Sequence, residues 1–335
     1  MKTHSEHSGR AVEDARFSHL MALALDSSSE YRQGLIRCIT SREGDVEIKG
    51  YVDRSQLFTV SGDSLEHFVV GERLQIKNEM EILNGLTPNG WECIGLEDPD
   101  IWIDEHTGLT HVYFTIPIKP SSPKEKIRIH LGHAVGKDVR SLEMTEPVLL
   151  DDRILGASAK EVSIAPVNSK GVRYNLIESR DREPEATYSI VRVAIADDMS
   201  TPWEYGNVVF HPKEHHIPWI GGHASPGPLF SKEFIDMGEG KLLGIMNGRE
   251  ANQKIGDNIK YGMFSVGLFV YDYENGKIDW VSPEPLIRDS EAKTITFASQ
   301  FVETAAGEGI LYAHVDDSFV RAYTLYAEGI RSLLP

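Results

Sequence analysis

Short runs rich in Val, Ile, Tyr and Phe alternate along this chain with clusters of Gly, Asp, Asn and Ser, the pattern of strands separated by turns. The clearest runs are His19–Leu25, Gly34–Thr40, His111–Ile118, Ile127–Ala134, Ser189–Ala196, Lys241–Met246, Met263–Tyr271 and Ile310–His314. Turn chemistry stands between them at Glu43-Gly44-Asp45, His106-Thr107-Gly108, Ser169-Lys170-Gly171, Glu239-Gly240 and Glu274-Asn275-Gly276. Long stretches with apolar residues at helical spacing are scarce. The pattern predicts an all-β protein.

The strands come in groups. A turn, an aromatic-rich strand, a polar loop and a second apolar strand recur, with the first strand of the pair near Val112, Tyr174, Leu242 and Ile310, at steps of about 62, 68 and 68 residues. An earlier copy begins at His19–Leu25, and residues 51–93 read as the rest of that unit plus an insertion. A repeat of this length holds about four strands, one blade of a β-propeller, and five such units fit the chain. A β-sandwich with insertions is the competing fold, but a sandwich does not need the recurring unit. No linker rich in Pro, Gly or Ser divides the chain. The expected organisation is a flexible N-terminus over residues 1–15 and a single five-bladed propeller over residues 16–335.

Composition narrows the partners. In 335 residues, hydrophobic content of 41% and charged content of 25% are globular values, and the formal net charge is −17. That charge argues against nucleic acid, and it offers an anionic substrate no long-range help. The polar start lacks an apolar signal segment, and no apolar run is long enough to span a bilayer, so no membrane partner is expected and the default compartment is the cytoplasm. Cys38 and Cys93 have no paired metal-type spacing and read as reduced thiols; neither a metal nor a cofactor is expected. A homo-oligomer is compatible with the sequence.

Candidate chemistry gathers where the repeats open. Gly95-Leu96-Glu97-Asp98-Pro99-Asp100-Ile101-Trp102 crowds three carboxylates before a strand, and like charges held close keep one carboxyl protonated near neutral pH, as a general acid requires. The plain alternative is a solvated acidic turn. Ser158 to Pro166, with Lys160 and Glu161, opens the third unit; a surface Lys–Glu pair on an edge strand is the alternative there. Gly221 to Pro228, with His223, opens the fourth, its small residues allowing close approach of a ligand. Tyr312-Ala313-His314-Val315-Asp316-Asp317-Ser318 belongs to the last. In a propeller these separate segments converge on one central pocket.

The same motifs resemble glycoside hydrolase family 130, five-bladed propellers that act on β-mannosides, mostly by phosphorolysis. The matching pieces are Glu97-Asp98-Pro99, Lys160-Glu161 through Pro166, Pro226-Gly227-Pro228, Tyr261-Gly262, Ser282-Pro283-Glu284-Pro285-Leu286 and Tyr312 to Asp316, in the family's order over roughly residues 90–325. The resemblance implies Asp98 as general acid, Asp316 at the sugar in the reactive subsite and Tyr261 in the same pocket, with Glu97, Lys160, Glu161 and His223 around them. The departures are Asp100 in place of the family's Arg, Asn247 in place of its phosphate-binding His, and no clear match near Leu23–Asp26 for its first-blade Arg. Phosphorolysis needs a cationic cradle for the attacking dianion. His223, Arg180 and Arg249 are the residues that could rebuild it. Glu178, where the phosphorylases carry a His-Arg pair, is the candidate base for hydrolysis; a surface pair with Arg180 or Arg182 is its plain alternative. The expected function is cleavage of a β-linked glycoside with inversion, hydrolysis ahead of phosphorolysis, on a small oligosaccharide or glycoside, with inorganic phosphate as a possible second partner. The alternatives are a sugar-binding propeller without turnover and a propeller that binds a protein partner.

Overall fold

The computed structural model describes residues 2–44, 52–122, 124–152, 156–182, 187–200, 202–256 and 258–335. Asp45 of the first predicted turn lies outside them.

Five groups of four antiparallel strands follow one another along the chain. The first blade is Leu20–Leu25, Gln33–Glu43, Val52–Ser61 and Val69–Arg73. The second is Glu97–Ile103, Thr110–Lys119, Arg128–Gly136 and Leu142–Met144, with Glu92–Cys93 added beside Thr110–Lys119. Lys160–Ser163, Arg173–Arg182, Thr187–Ala196 and Glu204–Phe210 form the third; His223–Leu229, Lys241–Arg249, Phe264–Asp272 and Lys277–Val281 the fourth. Thr296–Ala305, Glu308–Val315 and Phe319–Tyr326 make three strands of the fifth, and His4–Glu6 completes it by pairing with Phe319–Tyr326. The expected flexible N-terminus is therefore corrected over that stretch. His4 faces Leu325 in register, Ala11 and Val12 are buried, and the backbone N–H of Ala11 donates to Val320 O at 2.7 Å. An unpaired edge strand costs hydrogen bonds, and the first residues of the chain supply them.

The cores show why the ring closes. One apolar cluster joins Leu20, Ile36 and Val60 of the first blade to Ile310, Tyr312 and Val320 of the fifth. Others join Leu35 and Leu57 to Val112 and Phe114, Tyr113 and Leu131 to Ile177 and Ala194, Leu176 and Val191 to Met246 and Phe269, and Leu243 and Leu268 to Ala313 and Tyr323. Every pair of neighbouring blades shares a cluster, so the fold is an all-β, five-bladed propeller. Inner strands covered on both faces read as unbroken apolar runs. All six residues of Leu20–Leu25 are buried, whereas Lys277–Val281 on the rim has no fully buried residue. The insertion expected within residues 51–93 contains the helix Glu79–Leu86, which follows the last strand of the first blade. Cys38 and Cys93 are both free thiols.

Candidate active site

The first three blades begin with the same backbone device. Their innermost strands each carry a register break, between Met21 and Ala24, Glu97 and Asp100, and Lys160 and Val162. At each break a non-glycine residue has left-handed φ: Ala22 at 52°, Asp98 at 48° and Glu161 at 48°. Such residues cost about 1–3 kcal/mol each and cluster where a side chain must be aimed. Gly95 sets the second bulge in place. Its φ is +140°, and a Cβ there would meet Ser55 O at 2.1 Å, so this close approach of the first blade demands glycine.

These bulges open onto a cavity of about 790 Å³ lined by all five blades. On its floor Arg37, from the first blade, donates from Nη1 to Asp98 Oδ1 at 2.7 Å, from Nη2 to Glu97 Oε1 at 2.8 Å and from Nε to Ser55 Oγ at 2.8 Å. Burial works against the Asp98 charge, but Arg37 and then Lys160 outweigh it and hold this carboxyl below its usual range. Glu161 is hydrogen-bonded to Asp98 and moves the opposite way: burial, then the Asp98 charge, push it well above the usual carboxylate range. Of the two, Glu161 is the carboxyl that its surroundings favour in the neutral form. Asp98, the expected general acid, is in the site, and its ion pair with Arg37 favours its charged form.

Glu178, the candidate base, lines the cavity and is not in a surface pair with Arg180 or Arg182. It is 1% exposed, accepts from His223 Nε2 at 3.0 Å and lies 3.4 Å from Lys160 Nζ. Burial opposes its ionisation, but His223 and Lys160 overcome this and drive it far below the usual range, leaving a weak base. Burial lowers His223 to about 4, so its ring is neutral at neutral pH and supports Glu178 by hydrogen bonding, while Lys160 supplies the charge.

Asp317 is the carboxylate with base-like character. It lines the cavity, lies 3.4 Å from His314 Nε2 and 3.8 Å from Arg42 Nη2, and is raised by burial to about 6 despite Arg37 and Arg42. Its neighbour Asp316, expected at the sugar, instead accepts from the backbone N–H of Lys293, Thr294 and Ile295 at 3.1, 2.8 and 3.0 Å. Asn247 is corrected likewise. It is fully buried and clamps Ala298 with both ends of its amide, Nδ2 donating to Ala298 O at 2.9 Å and Oδ1 accepting from Ala298 N at 2.8 Å, which ties the fourth blade to the fifth. Glu97 and Asp100 are absent from the cavity lining; Asp100 is raised by burial to about 7 away from it. Lys160, Glu161, His223 and Tyr261 do line it, with Arg180 and Arg249 beside them. Arg249 lies over Tyr261 at 4.4 Å from its ring centroid. Phe264 packs edge-on against His223, and Phe297 stacks on His314 at 5.2 Å, giving the cavity an aromatic wall.

Arg37, Asp317 and their partner Arg42 carry no role in the sequence reading. Arg37 leaves one sequence signal, a charge inside the apolar run Leu35–Ile39. Asp317 leaves none that separates it from Asp316, because both belong to a single turn with left-handed φ values of 49° and 52°.

No protein-family model and no curated protein matches the chain. Solved structures do match in fold. A β-1,2-mannobiose phosphorylase from Listeria innocua, in complex with β-1,2-mannobiose, is 14% identical with a TM-score of 0.59, covering 99% of this chain and 90% of that one. A glycosyl hydrolase from Bacteroides ovatus is 15% identical with a TM-score of 0.61, over 94% and 90% of the two chains. An endo-arabinase from Bacteroides thetaiotaomicron is 14% identical with a TM-score of 0.53, over 95% and 97%. The chain shares the propeller fold of these proteins.

Proposed function

We propose that this propeller is a carbohydrate-active enzyme that cleaves a β-linked glycoside with inversion, by hydrolysis. The observation that carries the reading is the hydrogen-bonded Asp98–Glu161 pair on the cavity floor, with Arg37 paired to Asp98 so that the charge is favoured there and the proton on Glu161. Glu161 passes its proton to the glycosidic oxygen as the bond from the anomeric carbon breaks. Asp98 and Arg37 keep that proton available by holding Glu161 neutral in the resting site. Asp317 takes a proton from water, whose oxygen bonds to the anomeric carbon from the opposite face. Solvent then returns a proton to Glu161 and removes one from Asp317. Inversion requires about 6.5–9.5 Å between the two carboxyls to admit the water. The fold shared with a mannobiose phosphorylase and a glycosyl hydrolase supports a glycoside as substrate, with a β-mannoside as the first to test.

The expected bar to phosphorolysis loses its ground, because Asn247 and Asp100 do not face the cavity. Arg180, Arg249 and His223, which do face it, favour phosphorolysis as the second reading. Product analysis on a panel of β-mannosides, with and without inorganic phosphate, separates the two. Free reducing sugar in phosphate-free buffer, lost in Glu161→Gln, is the expected result. Sugar 1-phosphate formed only with phosphate would replace hydrolysis by phosphorolysis. Sugar binding without turnover in either buffer would make the protein a binding module.

A further inference from the structure

The chain as a whole is strongly acidic, with a formal net charge of −17, yet its cavity is not. Seven Lys and Arg line it among the described residues, against five Asp and Glu, one of which is the protonated Glu161. Arg37 is committed to Asp98 and Glu97, and Lys160 to Glu178. Among the other cations, Arg180 and Arg182 form an array with a direction. Glu178, Arg180 and Arg182 alternate along Arg173–Arg182, and residues two apart on a strand share a face. Each such step advances about 6.8 Å, so the wall changes from an anion at the floor to two guanidiniums on the way to the rim. Lys126 and Lys254 line the same cavity and are solvent-exposed.

Arg180 makes no hydrogen bond or ion pair with a described residue, although burial depresses it from its usual range. Glu178 and Asp151 offset part of that cost from a distance, but no described group hydrogen-bonds to the guanidinium, and a bound anion would. A second cavity of about 250 Å³ shares Lys126, Ile127 and Arg182 with the first, and Arg128, Glu125 and Asp151 give it a mixed charge.

From this array we infer that the cavity takes an acidic oligosaccharide, one that carries carboxylates on its sugars, with Arg180 and Arg182 reading successive anionic groups along the chain. The inference rests on the glycoside reading above and names its substrate class. A single phosphate is compact and calls for cations converging on one point, whereas this array is spread along a strand for more than one sugar's reach. A polyanion as large as nucleic acid would meet the acidic exterior and be repelled. An oligosaccharide end entering the cavity meets the local field alone, since charges beyond about 8–10 Å are screened in physiological salt.

The test is binding, so that it stands apart from turnover. Calorimetry at low salt compares tetrasaccharides of mannuronate and of galacturonate with the neutral mannose and galactose tetrasaccharides of the same linkage, and with inorganic phosphate. At least one uronate tetrasaccharide is expected to bind 10-fold or more tighter than its neutral counterpart. Raising salt should weaken it, and Arg180→Gln and Arg182→Gln should each reduce its affinity about 10-fold, the scale of one charge-assisted contact. Exchange of the remote, exposed Lys277 for Gln should leave it unchanged. Equal or weaker binding of the uronates, or inorganic phosphate as the only anion whose binding depends on Arg180, would overturn the inference. Uronate binding without cleavage would leave the subsite standing and remove the catalytic reading instead.

Discussion

The floor and the far wall of the cavity rest on the same propeller but hold charge in opposite ways. On the floor, Asp98 and Glu161 sit on strained bulges and are locked to Arg37 and to each other. On the wall, Arg180 and Arg182 sit on a regular strand, in register with Ser189 and Thr187, and make no ion pair among the described residues. Strain and pairing fix a proton in one place, which suits chemistry. A regular strand with unpaired cations leaves the counter-charge to be brought by a ligand, which suits recognition. The first blade sharpens the contrast: its bulge carries Ala22, which offers only a backbone N–H, to His314 Nδ1 at 3.3 Å, where the next two blades offer carboxyls.

The largest expected effect falls on the floor. Glu161→Gln keeps the shape and removes the titrating proton, so turnover of a glycoside with a poor leaving group should fall about 10²–10⁴-fold while sugar affinity is retained. Unchanged turnover would return the acid role to another group. Arg37→Met strips two buried carboxyls of their counter-charge; breaking a buried pair in this way costs about 3–5 kcal/mol, measurable by urea unfolding. A variant as stable as the wild type would mean that Asp98 is not held ionised by Arg37.

Between these effects lies the pH dependence. Turnover should decline toward acid through about pH 6 as Asp317 takes up a proton and ceases to act as base, and Asp317→Asn should abolish that limb along with most activity. The buried histidines should also make stability fall in acid. Burial holds His133, His223 and His314 at about 3, 4 and 3, below the ordinary value near 6.5. Between those values the unfolded chain binds protons that the folded one refuses, so stability is lost as pH falls from 6.5 toward 4. The raised carboxyls of Asp317, Asp100 and Glu161 act the other way over the same range, so the histidine contribution is read as the difference between the wild type and His133→Asn. Melting temperatures across that range check the sign. The smallest effect belongs to Asn247→Ala, which removes the double clamp on Ala298 and should cost about 1–3 kcal/mol without moving the pH profile of turnover.

The blades were legible because strands buried on both faces appear as apolar runs: His111–Ile118 and Ile310–His314 lie inside the second strands of their blades. The segments that open the repeats were legible as sites because the innermost strand of every blade starts at the axis. Which side chain of a motif faces the axis was not. Asp316 and Asp317 differ only in the rotation of one turn, and Asn247 points into the seam between two blades instead of the cavity. Nor could the ion pair of Asp98 be read, because its partner Arg37 comes from 61 residues away, on a blade where the resemblance placed an arginine near Leu23–Asp26 and the sequence has none there. The N-terminal strand was missed because His4–Glu6 is polar, and only its register against Phe319–Tyr326 makes it a strand.

The most direct measurement of the central claim needs no substrate. Infrared difference spectra at pH 8, where Asp317 and most of Asp100 are ionised, report any carboxyl that remains protonated through its C=O stretch. The account predicts such a band in the wild-type protein and its loss in Glu161→Gln. A band that survives Glu161→Gln and disappears in Asp98→Asn would put the proton on Asp98 and contradict it.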